Sequence, residues 1–295
     1  MSLFKGLEEI VQKDVPLGPM TTFGVGGKAE RFVRPRTAEE LREVLARCDK
    51  ADVPLRVLGR GSNLLISDEG VPGVVVQLDA ETFGAIAVEG DLVRAGAAAA
   101  LPKLVAAAAR EGLSGVECLV GIPGTAGGAV RMNAGGAYGD IGQTVERLKV
   151  MDAHGEQFYR ERDDLAFGYR ASNVSARFII EVELRLMPDS VKAINDRMKT
   201  IWIAKKNSQP MTAPSAGCVF KNPRGLAAGL LIDQCGLKGK AVGGAIVSRK
   251  HANYIVIKDK KKATAADVLA LIDEVRKAVK ERFDVYLETE IEIWP

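Results

Sequence analysis

The spacing of apolar positions changes period along this chain, and each period assigns an element. Between 178 and 186, Ile180, Val182, Leu184 and Leu186 alternate with Glu181, Glu183 and Arg185. A two-residue period is that of a strand with one buried face. Leu41, Val44, Leu45 and Cys48 instead fall at i, i+3, i+4 and i+7, one face of a helix that Thr37 is placed to cap. The same spacing predicts a helix over 98–110, with Leu101, Leu104, Val105 and Ala108 on one side and Gly112 as its stop. Another covers 190–206 on Val191, Ile194, Met198, Ile201 and Trp202. A short helix follows at 226–235, and Thr264 with Asp267 forms a capping-box pair that opens a helix reaching Phe283. Short apolar runs between turns predict strands at 31–35, 55–58, 64–67, 74–78, 85–89, 92–95, 145–152, 156–159, 244–247, 254–258 and 286–294.

Strands dominate up to Pro188 and long helices follow it. The expected organisation is therefore a first domain over 1–188, with parts 1–78 and 79–188, and a second over 189–295 whose last strand is free to return toward the first. The 295 residues are enough for two or three packed units, and no internal repeat interrupts them.

Two glycine-rich stretches break the periodic pattern. The longer, within 115–139, holds Gly121, Gly124, Gly127, Gly128, Gly135 and Gly136, with Pro123, Thr125 and Asn133 among them. The shorter is Gly59-Arg60-Gly61-Ser62-Asn63, which runs into an apolar strand. A dinucleotide-binding fingerprint needs such a loop to open a helix. Neither that pattern nor a P-loop is present. Glycine loses much freedom on folding, so a dense run implies turns with φ > 0 or close approach of another group. Successive amides in such turns form a nest for phosphate oxygens. No Lys lies between 121 and 136, so an anion there would be held by the main chain. A plain series of tight turns between strands explains the same residues.

Composition narrows the classes of function. Apolar content of 47% and charged content of 27% describe an ordinary globular chain with ample core. A net charge of +3 and 5% aromatic residues give little footing for nucleic acid. No apolar run approaches a membrane span, and the N-terminus lacks a signal-peptide core, so a cytoplasmic protein is expected. Cys48, Cys118, Cys218 and Cys235 are scattered, and only His154 and His251 accompany them. That excludes the usual zinc and disulfide spacings, and no metal is expected. Difficult chemistry then falls to an organic cofactor.

Three groups of residues carry candidate chemistry. Phe167-Gly168-Tyr169-Arg170-Ala171-Ser172 sets an arginine fork, suited to a carboxylate or enolate oxygen, beside an aromatic ring; an ordinary surface arginine fits equally. Between Pro214 and Pro223, Cys218, Lys221 and Asn222 place a thiol, an ammonium and an amide within five residues. A thiol near pKa 8.5 is a usable acid, whereas a small buried residue before Val219 explains it as well. Glu288, Glu290 and Glu292 alternate with apolar positions and so share one face of the last expected strand, which is either a solvated face or a source of one working carboxylate.

Taken together, TTFGVGG (21–27), VLGRGSNLLISD (57–68), GIPGTAGGAVRMNAGGAYG (121–139), FGYRAS (167–172), AGCVFKNP (216–223), LIDQCGLKG (231–239), VSRKHANYIV (247–256) and LETEIEI (287–293) closely resemble the UDP-N-acetylenolpyruvoylglucosamine reductase family. Because Phe178 follows FGYRAS almost at once, the chain resembles the shorter class, which lacks a tyrosine-bearing loop. The resemblance implies an α+β protein: an FAD-binding fold of the vanillyl-alcohol-oxidase-like (PCMH-type) kind with a separate substrate domain. It implies FAD held by Gly59, Arg60, Gly61, Ser62, Asn63, Gly121, Pro123, Gly124, Thr125, Gly127, Gly128, Asn133 and Gly135. NADPH as co-substrate would reduce the flavin, whose N5 hydride then passes to UDP-N-acetylglucosamine-enolpyruvate in peptidoglycan synthesis. Arg170 and Glu290 would stabilise the enolate, and Tyr169, Lys221, Asn222, Lys238 and His251 would contact substrate. Cys218 stands where the family's proton donor is a serine, and a monomer is expected. Two other classes fit less of the chain: another FAD-dependent 2-hydroxy-acid oxidoreductase, and a nucleotide-binding module without flavin.

Overall fold

The computed structural model describes residues 3–295. Its internal contacts divide the chain into two units, each gathered from separate stretches. The first takes the chain to Lys13, then Arg31–Gly59 and Gly73–Ala204; the second takes Asp14–Glu30, Arg60–Pro72 and Lys205–Pro295. Met1 and Ser2, with which the expected first domain begins, lie outside the described residues. Among the described residues no helix is long and apolar enough to cross a membrane.

The first unit is built around Phe178–Arg185, the middle strand of a five-stranded antiparallel sheet. Val182 pairs with Leu148 of Val145–Met151 on one side and with Ala95 of Leu92–Gly96 on the other. Val182 and Leu184 are fully buried in a core shared with Leu101, Leu104 and Val130. The opposite face is less exposed than the alternation predicts. Glu183 is buried there, with Arg94 at 2.7 Å and Arg147 at 3.1 Å holding its carboxylate. The helix expected from 98 begins later, as Leu101–Arg110. Its first residues are drawn into extended pairing: Ala97 N–H donates to the Ile180 carbonyl and the Ala99 carbonyl accepts from Ala126. A second core lies under Ala38–Lys50, whose Thr37 hydroxyl accepts from Glu40 N–H as the spacing predicts.

The helix Val191–Ser208 explains why the division falls at 204 and not at Pro188. Arg197 on that helix reaches Glu117 at 2.8 Å and Asp189 at 2.7 Å, so its first part belongs to the first unit. The contact units thus differ from the division expected at Pro188, and each is gathered from separate stretches.

In the second unit, Ala241–Val242, Ala245–Val247 and Ile255–Ile257 form an antiparallel sheet. Ala265–Phe283 covers it with Val268, Leu271, Ile272, Val275 and Val279. The capping box of Thr264 and Asp267 is formed, and the Asp68 carboxylate also accepts from Ala265 N–H at 2.8 Å and Ala266 N–H at 2.9 Å. The expected strand over 286–294 is reduced to Glu292–Trp294, which pairs in parallel with Leu64–Ile66. The chain changes partner there: Glu290 N–H donates to Val219, whereas Glu292 N–H donates to Asn63. Antiparallel ladders with helices laid on their faces make this an α+β protein, as expected.

Candidate active site

Val219 is the hinge point of the second unit's candidate residues. Its carbonyl accepts from Glu290 N–H at 2.7 Å, while Lys221 N–H donates to the Glu288 carbonyl at 2.9 Å. Phe220 and Thr289 are bridge partners between those bonds. Cys218 and Glu290 therefore both adjoin Val219, one through a peptide bond and the other through a hydrogen bond. The change of partner after Glu290 also separates the three glutamates. Glu288 is exposed, 3.5 Å from Lys221 Nζ, and Glu292 is exposed, whereas Glu290 is half-buried. The three glutamates therefore differ in exposure, with only Glu290 drawn inward.

The opposite edge of this segment is held by a residue that periodicity did not single out. Asn253 is 2% exposed. Its Oδ1 accepts from Phe220 N–H at 2.9 Å, its Nδ2 donates to the Phe220 carbonyl at 2.8 Å, and its own carbonyl accepts from Val219 N–H at 2.8 Å. The carboxamide thus takes the place of a strand. The only signal for it in the sequence is a polar residue set directly before the apolar run 254–257.

Asn63 works similarly from the other side, with Nδ2 donating to the Glu290 carbonyl at 3.0 Å. Gly61, three residues from the strand that Asn63 leads into, has φ +59, and a Cβ there would stand 2.4 Å from the Met20 carbonyl oxygen. Lys238 and His251 are also neighbours. Lys238 Nζ contacts Asp233 at 2.6 Å, and His251 Nδ1 accepts from Asn253 N–H at 3.2 Å. Burial, and next the Lys238 ammonium, hold the His251 imidazole below its ordinary pKa, against one main-chain hydrogen bond that works the other way. Asn222, which is exposed, accepts with Oδ1 from Ala228 N–H at 3.0 Å and so opens the helix Ala228–Gln234.

In the first unit the long glycine stretch is partly helical. Ala126–Arg131 is a short helix capped by Thr125, whose Oγ1 accepts from Gly128 N–H at 3.3 Å. Gly127 N–H donates to the Ala97 carbonyl, and a Cβ at 127 would lie 2.8 Å from Ala97 Cβ. Gly135 pairs with Asp140 in a small hairpin. These glycines serve packing. The nest is narrower than the sequence implies and sits just before the helix. Gly124 and Thr125 are buried, and their amide hydrogens meet no acceptor among the described residues. Gly59 brings the shorter loop to the same place, since a Cβ on it would lie 3.2 Å from Thr125 Oγ1. Buried donors without acceptors beside a bare glycine fit an anionic oxygen.

Arg170 belongs to the first unit and stands at the tip of a two-residue hairpin between Phe167–Gly168 and Ala171–Ser172. Its φ is +53, a region that bulky residues enter under constraint, and its guanidinium lies 5.3 Å from the Tyr169 ring centroid. The hairpin is braced from the glycine stretch. Asn133 Nδ2 donates to the Gly168 carbonyl at 2.9 Å, its Oδ1 accepts from Gly142 N–H at 3.0 Å, and Ser172 Oγ donates to the Arg131 carbonyl at 2.9 Å. Asn133, expected at the cofactor, uses both ends of its carboxamide in this brace.

The UDP-N-acetylenolpyruvoylglucosamine reductase C-terminal domain family matches residues 209–294, and the FAD binding domain family matches 29–158. A UDP-N-acetylenolpyruvoylglucosamine reductase of Moorella thermoacetica is 43% identical over 290 residues, 98% of this chain and 95% of the relative. A second such reductase, numbered 2 in Symbiobacterium thermophilum, is 41% identical over 96% of this chain and 92% of its own length. The crystal structure of UDP-N-acetylenolpyruvylglucosamine reductase from Thermus caldophilus superposes with a TM-score of 0.84 at 42% identity, covering 97% of this chain and 99% of that one.

Proposed function

The chain belongs to the UDP-N-acetylenolpyruvoylglucosamine reductase family, and from that premise we propose that it reduces the enolpyruvyl ether of UDP-N-acetylglucosamine-enolpyruvate to UDP-N-acetylmuramate, with NADPH as the source of hydride. FAD held here would supply the redox chemistry, hydride transfer between the nicotinamide and the terminal enolpyruvyl carbon. The amides of Gly124 and Thr125 and the bare face of Gly59 receive its diphosphate. Hydride addition places negative charge on the substrate carboxyl as an enolate. Arg170 offers charge-assisted hydrogen bonds to that oxygen, and Glu290 completes its surroundings. Cys218 gives its proton to the adjacent carbon, so that one hydride and one proton add across the double bond. Tyr169, Lys221, Asn222, Lys238 and His251 contact the nucleotide sugar.

The observation that carries this reading is the hydrogen bond from Glu290 to Val219, because it sets the proposed acid and the proposed carboxylate on adjoining chain segments. The purified protein is expected to be yellow. Its flavin should bleach with NADPH and regain colour when the enolpyruvyl nucleotide sugar is added. A protein that bleaches with NADPH yet is reoxidised only by a 2-keto acid would belong to the other class of flavin oxidoreductase.

A further inference from the structure

We propose that Asn253 is a positioning residue for proton delivery, holding Cys218 in register with Glu290 by acting as a one-residue strand against Val219 and Phe220; the proposal rests on the function assigned above. The hydrogen bonds given for Asn253 satisfy Phe220 on both of its peptide groups and fix the N–H that follows Cys218. Val219 then passes the constraint on through its carbonyl to Glu290, and Asn63 anchors Glu290 from the far side. A carboxamide can do this at 253 and an ionised carboxylate cannot. Phe220 presents one donor and one acceptor, and the side chain must answer each with its opposite. His251 completes the arrangement by accepting from Asn253 N–H.

The test exploits the one chemical state in which another side chain reproduces a carboxamide. In Asn253→Asp the carboxylate accepts from Phe220 N–H but cannot donate to the Phe220 carbonyl; once protonated it does both. Burial raises a carboxyl pKa, so the switch should fall within an accessible range. His251 meets Asn253 directly and faces Lys238, which pairs with Asp233; Cys218, Lys221 and Glu290 are the titratable groups on the segments that Asn253 and Val219 hold. Asn253→Leu retains all of them and serves as the control.

At about pH 8, Asn253→Asp should slow flavin reoxidation by the enolpyruvyl substrate by about a hundredfold, the scale of a misplacement near 1 Å. Flavin reduction by NADPH is the internal reference. Toward pH 6 the reoxidation rate should climb back relative to wild type, and Asn253→Leu should show no such recovery. Amide hydrogen exchange gives a reading independent of turnover: Val219, Phe220 and Glu290 should exchange faster than wild type at pH 8 and regain protection at pH 6 only in the aspartate variant. Wild-type rates at pH 8, equal losses in both half-reactions, or no acid recovery would each overturn the proposal. So would failure of the aspartate variant to fold at either pH, which would make Asn253 purely structural. Should wild type itself not be reoxidised by the enolpyruvyl substrate, the assigned function falls, and the exchange arm still reports whether Asn253 holds the segment.

Discussion

The carboxamide of Asn63 donates a 3.0 Å hydrogen bond to the main-chain carbonyl of Glu290, joining positions 227 residues apart in sequence. With the bond from Glu290 N–H to Val219, both peptide groups flanking this residue are fixed. Glu288 is held from one side, its carbonyl accepting from Lys221 N–H, and its exposed carboxylate lies 3.5 Å from Lys221 Nζ. Glu290→Gln should therefore slow substrate reduction by about a hundredfold, within the range of losing a positioned acid–base group. Glu288→Gln should stay within about twofold, as expected of an exposed ion pair. Single-turnover flavin reoxidation measures both, and a larger loss at Glu288 would reassign the carboxylate.

Arg170 combines the proposed charge role with a left-handed backbone. Arg170→Ala should leave reduction by NADPH near wild type and slow reoxidation at least about a hundredfold. Arg170→Gly should be equally slow yet more stable to denaturant than the alanine variant by about 1 kcal/mol, because glycine accepts φ +53 without penalty. Equal stability would mean the turn relaxes when the side chain is lost.

Flavin retention separates two kinds of glycine. A Cβ at Gly127 meets Ala97 Cβ at 2.8 Å, so Gly127→Asp should destabilise the protein itself by about 1–3 kcal/mol. Gly59 has only Thr125 Oγ1 near, at 3.2 Å. Gly59→Glu should keep the apoprotein's melting temperature while weakening FAD retention at least about tenfold, about 1.4 kcal/mol. Unchanged flavin content in that variant would move the diphosphate elsewhere.

Cys218→Ser should remain active, because a hydroxyl fills the same place in the family this chain resembles, and Cys218→Ala should take up hydride without completing the product. In deuterated water the alanine variant should exchange label at the hydride-receiving carbon faster than product forms. A thiol alkylating agent should stop reoxidation in wild type and spare Cys218→Ser. Full turnover by Cys218→Ala would assign the proton to water or another group.

His251 gives the fold an acid sensitivity. Its pKa is depressed in the folded state, so the unfolded chain binds more protons as pH falls below the ordinary histidine value near 6.5. Stability is then fully present above that value and is lost as pH falls toward the folded pKa. Adding the second ring proton at Nδ1 also opposes the Asn253 N–H that donates there. Urea midpoints of wild type should drop between pH 7 and 5 by more than those of His251→Gln; parallel curves would rule out the linkage.

Much of this was legible in the sequence wherever local chemistry and burial agree. Thr37, Thr264 and Asp267 cap helices at the expected positions, and the alternation after Phe178 marks the central strand. The helix Ala126–Arg131 was missed because two glycines weaken its propensity, although the Thr125 cap was available as a sign. The last strand was overextended because alternation of glutamates persists through a change of partner that only tertiary contacts create. Glu290 was singled out, but its difference from Glu288 was not. Asn253 has no periodic trace, since its contribution is a pair of hydrogen bonds to a segment 33 residues away.

The parallel pairing of Leu64–Ile66 with Glu292–Trp294 sets an order of events during synthesis. When residues 60–72 leave the ribosome, their strand has no partner, and more than two hundred further residues must be translated before it arrives. Leu65 would meanwhile expose a side chain that is fully buried in the finished core. The nascent chain should therefore hold the shorter glycine loop unsettled until Glu292–Trp294 has been made, and the waiting strand stays unpaired until then.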